Sequence, residues 1–389
     1  MPTILTAVRS TASINQDRRL PDLDRNIELI KGDDAPYLTL LRKLRKKPAN
    51  DPKVEWMEDE FVPPTDAINN GGAAYDSSTT DIVVDNSEYF TIGDVIQFTV
   101  SGECARITAI NNGTDTLTIS RSWGGTAAAA SGVADNAEIL NLGPAIAEGA
   151  SASAVKSTVE VTKFNYVQDF RTPYGLTDEL ADETTLRNEP DWEYQRRKAM
   201  KHHLRQIERS LWFGEKNEDT GTASAPIRSL GGMKEFITSN VKDASGTLDE
   251  SEFNDFLEQA YRTTQGDGGG AKWLFLSPIF MKVLNQFAGD KIQTVSGASR
   301  YGVGIMEYLT PWGPIKLVLC RMFSESTEYT EWGFVVDMDK VWYREMKSTY
   351  VRPNIQANDE TLRKEEVRTL CSMEVRIEAA HEVIKGVTG

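Results

Sequence analysis

The sequence predicts an α+β fold: a compact lobe of mixed strands and helices, one long helix bracing it, and a small all-β unit inserted between two long strands. Three observations carry this. Residues 188–214 (NEPDWEYQRRKAMKHHLRQIERSLWFG) read as a single amphipathic helix. The stretch 75–160 changes composition abruptly, with three basic and eleven acidic residues and much Thr, Ser, Ala and Gly. Elsewhere strands and helices do not alternate regularly, which favours antiparallel or mixed sheets over a parallel one.

The long helix is legible end to end. Asn188 suits the N-cap, Pro190 the first turn, and Glu189, Asp191 and Glu193 lie at the positive end of the dipole. Met200, Leu204, Ile207 and Leu211 form one stripe, bracketed by Trp192 and Trp212, and Gly214 ends the helix. Its other side carries Arg196, Arg197, Lys198, Lys201, Arg205 and Arg209.

The totals bound the function. The chain of 389 residues is long enough for two or three domains, and 40% hydrophobic with 26% charged residues describes a globular protein. No window approaches the roughly 18 apolar residues of a membrane span, and MPTILTAVRSTAS lacks the pattern of a secretory signal. Cys104, Cys320 and Cys371 lie far apart and read as small buried residues in a reducing compartment. Net charge is −15, unevenly spread. Residues 1–50 hold ten Lys and Arg against six Asp and Glu, leaving 33 against 52 for the remainder. So acidic a chain is not a general nucleic-acid binder, which needs clustered cations.

In order along the chain, residues 1–52 read as an arm. Prolines punctuate it, and its one amphipathic piece, 35–47 (APYLTLLRKLRKK), has a narrow Leu38, Leu41, Leu44 stripe followed by Arg42, Lys43, Arg45, Lys46 and Lys47. The run 53–61 alternates as a strand and ends at Pro63 and Pro64. Alternating runs at DIVVD, DVIQFTV, CARITAI, TLTIS and AEILNL make 82–143 a small barrel or sandwich, with a tight turn at Asn112 and Gly113. A long strand over 155–171 returns to pair antiparallel with 53–61. After the long helix, TLDE at 247–250 is a capping box opening a helix to about 264. KWLFL (272–276) is a buried strand, and Ser277 with Pro278 caps a helix to about 289. Strands at 304–310 and 315–321 form a hairpin around PWGP. Strands at 332–336 and 341–344 follow, and 363–377 closes the chain.

Catalytic motifs are absent. His202 and His203 diverge by about 100° on a helix and read as surface residues. His381 and Glu382 begin an HExxH pattern that Lys385 breaks. There is no GxSxG elbow and no Walker A loop. The GDGGG run at 266–270 follows a helix and precedes a strand, the wrong order for a dinucleotide loop, and reads as a mobile loop. Asp337 to Asp339 reads as a turn, and Asp33, Asp34, Glu365 and Glu366 as solvated surface. No enzyme activity, cofactor or metal is expected.

The ordered phrases KVEWMEDEF, GDVIQF, CARITAI, RSWGGTAAA, NYVQDFR, IERSLWFG, GGMKEFI, GVGIMEYLTPWGPIKLVLCR, FVVDMDKVWYRE and LCSMEVRIEAAHEVIKG span nearly the whole chain. In this order they resemble the major capsid protein of tailed bacteriophages. That fold is shared with herpesvirus shells and encapsulin nanocompartments, here in a form with an extra β domain in the extended loop. The resemblance implies an N-terminal arm (1–52), an extended loop (53–170) with an inserted β domain (82–143), and a peripheral domain (171–224) with a spine helix (188–214). An axial domain (225–335) and peripheral C-terminal strands (336–389) complete it. It implies self-assembly in the host cytoplasm into pentamers and hexamers of an icosahedral shell around double-stranded DNA, without sequence-specific or membrane binding. A portal, a separate scaffolding protein and a decoration protein are the implied partners. The separate scaffold follows because no long charged helical segment precedes the arm, and the start at Met1 argues against propeptide removal. Subunit-contact candidates are Arg42, Lys43, Arg45, Lys46, Lys47, Arg196, Arg197 and Arg205. The alternatives are an encapsulin-like compartment protein, a β-rich tail or surface-binding protein owning 82–143, and lastly an unrecognised hydrolase. Deleting 1–50 is expected to leave a folded subunit, and so is replacing 82–143 by a short linker.

Overall fold

The computed structural model describes residues 35–129, 132–151, 154–182, 190–219, 225–262, 272–287, 292–300 and 303–388. Contacts divide the chain into two units, residues 1–56 with 163–389 and residues 57–162. In chain order the elements begin α1 (Pro36–Leu44), β1 (Lys46–Pro48), β2 (Lys53–Glu58), β3 (Thr65–Ala67), β4 (Asp81–Val83), β5 (Asp94–Phe98), β6 (Cys104–Asn111), β7 (Thr116–Ser120), β8 (Glu138–Pro144), β9 (Val161–Tyr166) and β10 (Gln168–Thr177). They continue α2 (Asp178–Asp182), α3 (Asp191–Phe213), β11 (Asn217–Asp219), β12 (Ile227–Ser229), α4 (Met233–Phe236), β13 (Val241–Gly246), α5 (Glu250–Arg262), β14 (Lys272–Leu276) and α6 (Pro278–Phe287). The last are β15 (Ile292–Arg300), β16 (Val303–Thr310), β17 (Gly313–Leu319), β18 (Gly333–Asp337), β19 (Val341–Arg352), β20 (Leu362–Val375) and β21 (Glu382–Val387).

Among the described residues, the first unit holds a four-stranded and a seven-stranded sheet beside the short β11–β12 pair. One has the order β1-β19-β20-β10, parallel only where Lys46 faces Tyr343. The other, β13-β21-β18-β14-β17-β16-β15, is mixed, with β14–β17 and β13–β21 parallel. The mixed sheet agrees with the irregular order of elements in the sequence. Strand β14 shows why Trp273 to Leu276 is an unbroken apolar run after Lys272. Trp273 and Phe275 enter one core with α1 and α3, while Leu274 and Leu276 enter another with α5 and α6.

The long helix runs Asp191–Phe213; Asn188 lies outside the described residues. Its buried face matches the apolar stripe read from the sequence only in part. Tyr194, Ala199, His203, Ile207, Glu208, Leu211 and Trp212 are buried, whereas Met200 and Leu204 are half-buried. Two buried polar residues shift the face, and hydrophobicity alone cannot register them. Gly214 does end the helix, though not through a left-handed turn, since its φ is −63°. Space demands glycine there: a Cβ would stand 2.5 Å from both Leu230 O and Ser210 O.

The largest correction concerns residues 35–48. This stretch, expected in an arm with little core of its own, is part of the core. Tyr37, Leu38, Leu40 and Leu41 are each at most 2% exposed, and Tyr37 stacks on Trp212 with centroids 4.2 Å apart. Strand β1 then adds to the edge of β19. Residues 1–34 lie outside the described residues.

Other boundaries move for local reasons. The capping box sits two residues later than expected. Asp249 Oδ1 accepts from Glu252 N–H at 2.7 Å and Glu252 Oε2 accepts from Asp249 N–H at 3.3 Å, so α5 begins at Glu250. Ser277 Oγ caps α6 by accepting from Phe280 N–H at 3.1 Å. The single strand expected at 155–171 is two, β9 and β10, with no regular structure over 155–160. Strands β2 and β9 do pair. The turn at Asn112 and Gly113 is longer than a two-residue hairpin, spanning 112–115, and its left-handed residue is Asp115 at φ 48°.

The second unit is a six-stranded antiparallel sheet, β3-β8-β5-β6-β7-β4, around Ile68, Ile96, Phe98, Ile107, Leu117, Ile119 and Ile139. Strand β3, upstream of residue 82, belongs to this sheet through β8. Buried Glu103 anchors the 121–129 loop. It pairs with Arg121 at 2.6 Å and accepts from Ala129 N–H at 2.9 Å and Ser122 N–H at 3.2 Å.

Candidate assembly surfaces

The basic run after α1 is spent largely inside the subunit. Arg45 pairs with Asp339 and Lys46 with Glu345. Lys47 Nζ lies 3.7 Å from Glu374 and 3.9 Å from the Trp342 ring centroid. Fully buried Glu374 also takes Arg344 at 2.5 Å and Arg376 at 2.6 Å. Three of the expected contact residues thus fasten β1 onto the β19–β20 sheet within the subunit. Lys43 is exposed and Arg42 half-buried.

On α3, Arg205 likewise pairs within the subunit, with Glu325, which Arg209 also approaches at 3.6 Å. Arg196, Arg197 and Lys198 are exposed, with the Arg197 guanidinium 5.7 Å from the Tyr194 ring centroid. His203, read as a surface residue, is fully buried between the Thr172 hydroxyl at 2.9 Å and the Thr369 hydroxyl at 2.8 Å. Burial, then the charges of His202 and Arg42, lowers its pKa to about 4, so it is neutral at physiological pH. His202 is exposed.

Glu365 and Glu366, expected as solvated surface, are 5% and 8% exposed. Glu365 accepts from the Tyr174 hydroxyl at 2.6 Å and pairs with Arg363 at 3.0 Å. The Asp337–Asp339 stretch is a turn, with Asp339 N–H donating to Asp337 Oδ1 at 2.9 Å. Asp33, Asp34 and 266–270 lie outside the described residues.

A second buried polar group crosses the seven-stranded sheet. Lys272, Asp337 and Glu382 come from β14, β18 and β21, and all are at most 2% exposed. Lys272 Nζ donates to Ala380 O at 2.9 Å. Among the described residues, neither Glu382 carboxyl oxygen has a hydrogen-bond partner. Burial raises the Glu382 pKa to about 8 against the pull of Lys272, and lowers that of Lys272. Burial and then Lys272 lower the His381 pKa to about 3. Among the described residues no group of three or more His, Cys, Asp or Glu could hold a metal ion. Nor is any described helix long and apolar enough to cross a membrane.

The second unit keeps its few cations to itself. Arg106 Nε donates to Ala145 O at 3.1 Å, Arg121 pairs with Glu103, and Lys156 Nζ donates to the carbonyls of Glu88 and Phe90. Its entry and exit segments are different in character. Residues 57–61 and 155–161 lie side by side, with the Thr158 hydroxyl donating to Asp59 Oδ1 at 2.7 Å. On them Val155 is 96% exposed, Phe61 86%, Val159 82%, Met57 68% and Val161 60%. Isolated exposed apolar residues are ordinary, but five on two adjoining segments mark an interaction surface. The sequence carried this signal in the Met, Phe and Val of the stem; what it lacked was their exposure.

The family model for the SU10 major capsid protein matches residues 5–388. The chain belongs to the SU10 major capsid protein family. Within that family setting, the major capsid protein of Pseudomonas phage PaMx41 is 28% identical over 149 residues, which covers 38% of this chain. The match spans about a third (34%) of the length of that curated relative. Among solved structures, the capsid of a native GTA particle aligns over 98% of this SU10-family chain and 100% of its own, with 9% identity and a TM-score of 0.52. That likeness is one of fold, and the fold is that of phage-type capsid proteins. The holo-SrpI encapsulin of Synechococcus elongatus PCC 7942 aligns over 59% of this chain and 78% of its own, with 13% identity and a TM-score of 0.43.

Proposed function

We propose that the chain is the building block of a closed icosahedral shell around double-stranded DNA, assembling with itself into pentamers and hexamers. The observation that carries this reading is the stem at 57–61 and 155–161, whose five exposed apolar side chains suit the surface of a second copy. Many modest contacts of this kind, multiplied around a ring, hold a shell that no single contact would hold. A portal, a separate scaffolding protein and a decoration protein are the further partners, assembly takes place in the host cytoplasm, and the shell protein does no chemistry. In this reading residues 57–162 are the extended loop with its β domain, 225–335 the axial domain, and 171–224 with 336–389 the peripheral domain. The acidic second unit, its three cations engaged internally, faces away from DNA. Exposed Arg196, with Arg42, Lys43, Arg45, Lys46, Lys47, Arg197 and Arg205, would contribute basic side chains to contacts with a neighbour's acidic unit.

The test is the pair Phe61→Ser and Val159→Ser. Both side chains are exposed, so subunit stability should change by no more than about 0.5 kcal/mol. Sedimentation of the assembly reaction should show shells lost in favour of subunits or capsomers. A double variant that forms shells in wild-type yield rules the stem out as an assembly contact.

A further inference from the structure

The pentapeptide AINNG occurs twice in the second unit, at 67–71 and at 109–113. A glycine after asparagine carries no side chain to shield the next backbone nitrogen, which can then attack the asparagine carboxamide. Local sequence gives the two copies the same reactivity; the fold treats them differently.

At 109–113 the attacking nitrogen is guarded. Gly113 N–H donates to Asn111 Oδ1 at 3.0 Å, and the Asn112 carboxamide is itself held, its Oδ1 accepting from the Ser87 hydroxyl at 3.2 Å. At 67–71 the equivalent of Asn111 is turned elsewhere: Asn69 Nδ2 donates to Asp85 Oδ1 at 3.0 Å. The Asp135 carboxylate accepts from the N–H groups on either side, Asn70 at 2.5 Å and Gly72 at 2.8 Å. Among the described residues Gly71 N–H between them has no hydrogen-bond partner. Asn70 Nδ2 donates to Ala73 O at 3.0 Å, which folds the carboxamide back over the 70–73 turn. Gly71 and Gly72 are exposed, and a Cβ on either would meet nothing within 4 Å, so water reaches the turn freely.

We propose that Asn70 is a site of self-modification, converted through the Gly71 amide to aspartate and isoaspartate, while Asn112 is spared. Gly71 N gives its proton to a base in the solvent and bonds Asn70 Cγ; the Cγ–Nδ2 bond breaks and ammonia leaves. Water then opens the five-membered imide. Breaking the new Cγ–N bond gives aspartate, and breaking the original peptide bond gives isoaspartate, with an extra carbon in the main chain. Either product sets a new carboxylate beside Asp135, which holds the turn from both sides. Like charges repel, so a modified copy has a looser 70–73 turn and a further negative charge on a unit that is already acidic.

Peptide mapping by mass spectrometry of the full-length chain, aged at mildly alkaline pH, reads both sites together. In the folded chain Asn70 should react on the order of five-fold faster than Asn112, the factor that one retained hydrogen bond supplies. In chain unfolded by urea the two should react alike, because their local sequences match. Asn111→Ala frees Gly113 N–H and should raise the Asn112 rate while leaving that of Asn70 unchanged. Equal rates in the folded chain, a slower Asn70, or an Asn112 that stays slow in Asn111→Ala overturns the proposal. It concerns the subunit alone and stands or falls independently of the shell reading.

Discussion

A chain lacking residues 1–48 should fail to fold, while one lacking only 1–34, which keeps the whole described core, should show the cooperative unfolding transition of the full chain. This reverses the expectation from sequence that deletion to residue 50 would be harmless. The longer deletion removes Tyr37, Leu38, Leu40 and Leu41 from the centre of the larger core. At about 1.5–3 kcal/mol for each fully buried side chain, the loss is about 6–12 kcal/mol before any cavity term. That is comparable to the about 5–15 kcal/mol by which a whole domain is stable. It also strands Glu208 without two of its donors and exposes the face of Trp212 that Tyr37 covers. Thermal unfolding followed by near-ultraviolet circular dichroism distinguishes the two truncations. A normal transition in the longer one would show that α1 is an accessory after all.

Lys272→Met should be the most damaging single substitution in the sheet, costing about 3–5 kcal/mol, because it removes the buried cation beside two buried acids. Asp337 is the direct cross-strand neighbour of Lys272, and Glu382 lies one strand further on. The cost should grow with pH. The Glu382 pKa is raised from 4.5 to about 8, so its contribution to stability is complete below pH 4.5 and is lost as pH rises toward about 8. Without Lys272 the same carboxyl would resist ionisation further, and the variant should lose most above neutrality. Adding Glu382→Leu to Lys272→Met should recover part of the loss, since a lone buried acid is worse than none. Urea unfolding at about pH 5 and about pH 8 tests both statements. A Lys272→Met protein within about 1 kcal/mol of wild type at the higher pH would mean that the acids are satisfied some other way.

Both predictions come from what sequence could not reveal. Local pattern was enough wherever the signal is local. The alternation in CARITAI and TLTIS, the full burial of KWLFL and the length of the 191–213 helix all survive in the structure. The order of those parts was enough to suggest the capsid family. The residues that lock the fold are paired across long separations. Glu208 meets Tyr37 across 171 positions, and His203 meets Thr369 across 166. Nothing near His203 distinguishes it from exposed His202. Helix α1 is the same case. Its basic tail, 42–47, looked like a surface feature, yet Glu345, Glu374 and Asp339 are waiting for it on strands and turns some 300 residues later. For the assembly surface the difficulty was the reverse. Val155 and Val159 look like one face of a strand, and only the fold shows that this stretch has no core of its own to cover them.

The central claim, that this capsid-family chain closes into a shell by itself or on a scaffold, is tested most directly by cryo-electron microscopy of the purified full-length protein. The account predicts closed particles with five-fold and six-fold capsomers, and density for the 57–61 and 155–161 stem pressed against a neighbouring copy. Particles in which that stem is bare, or a protein that remains monomeric at every concentration and with its scaffold present, would contradict it.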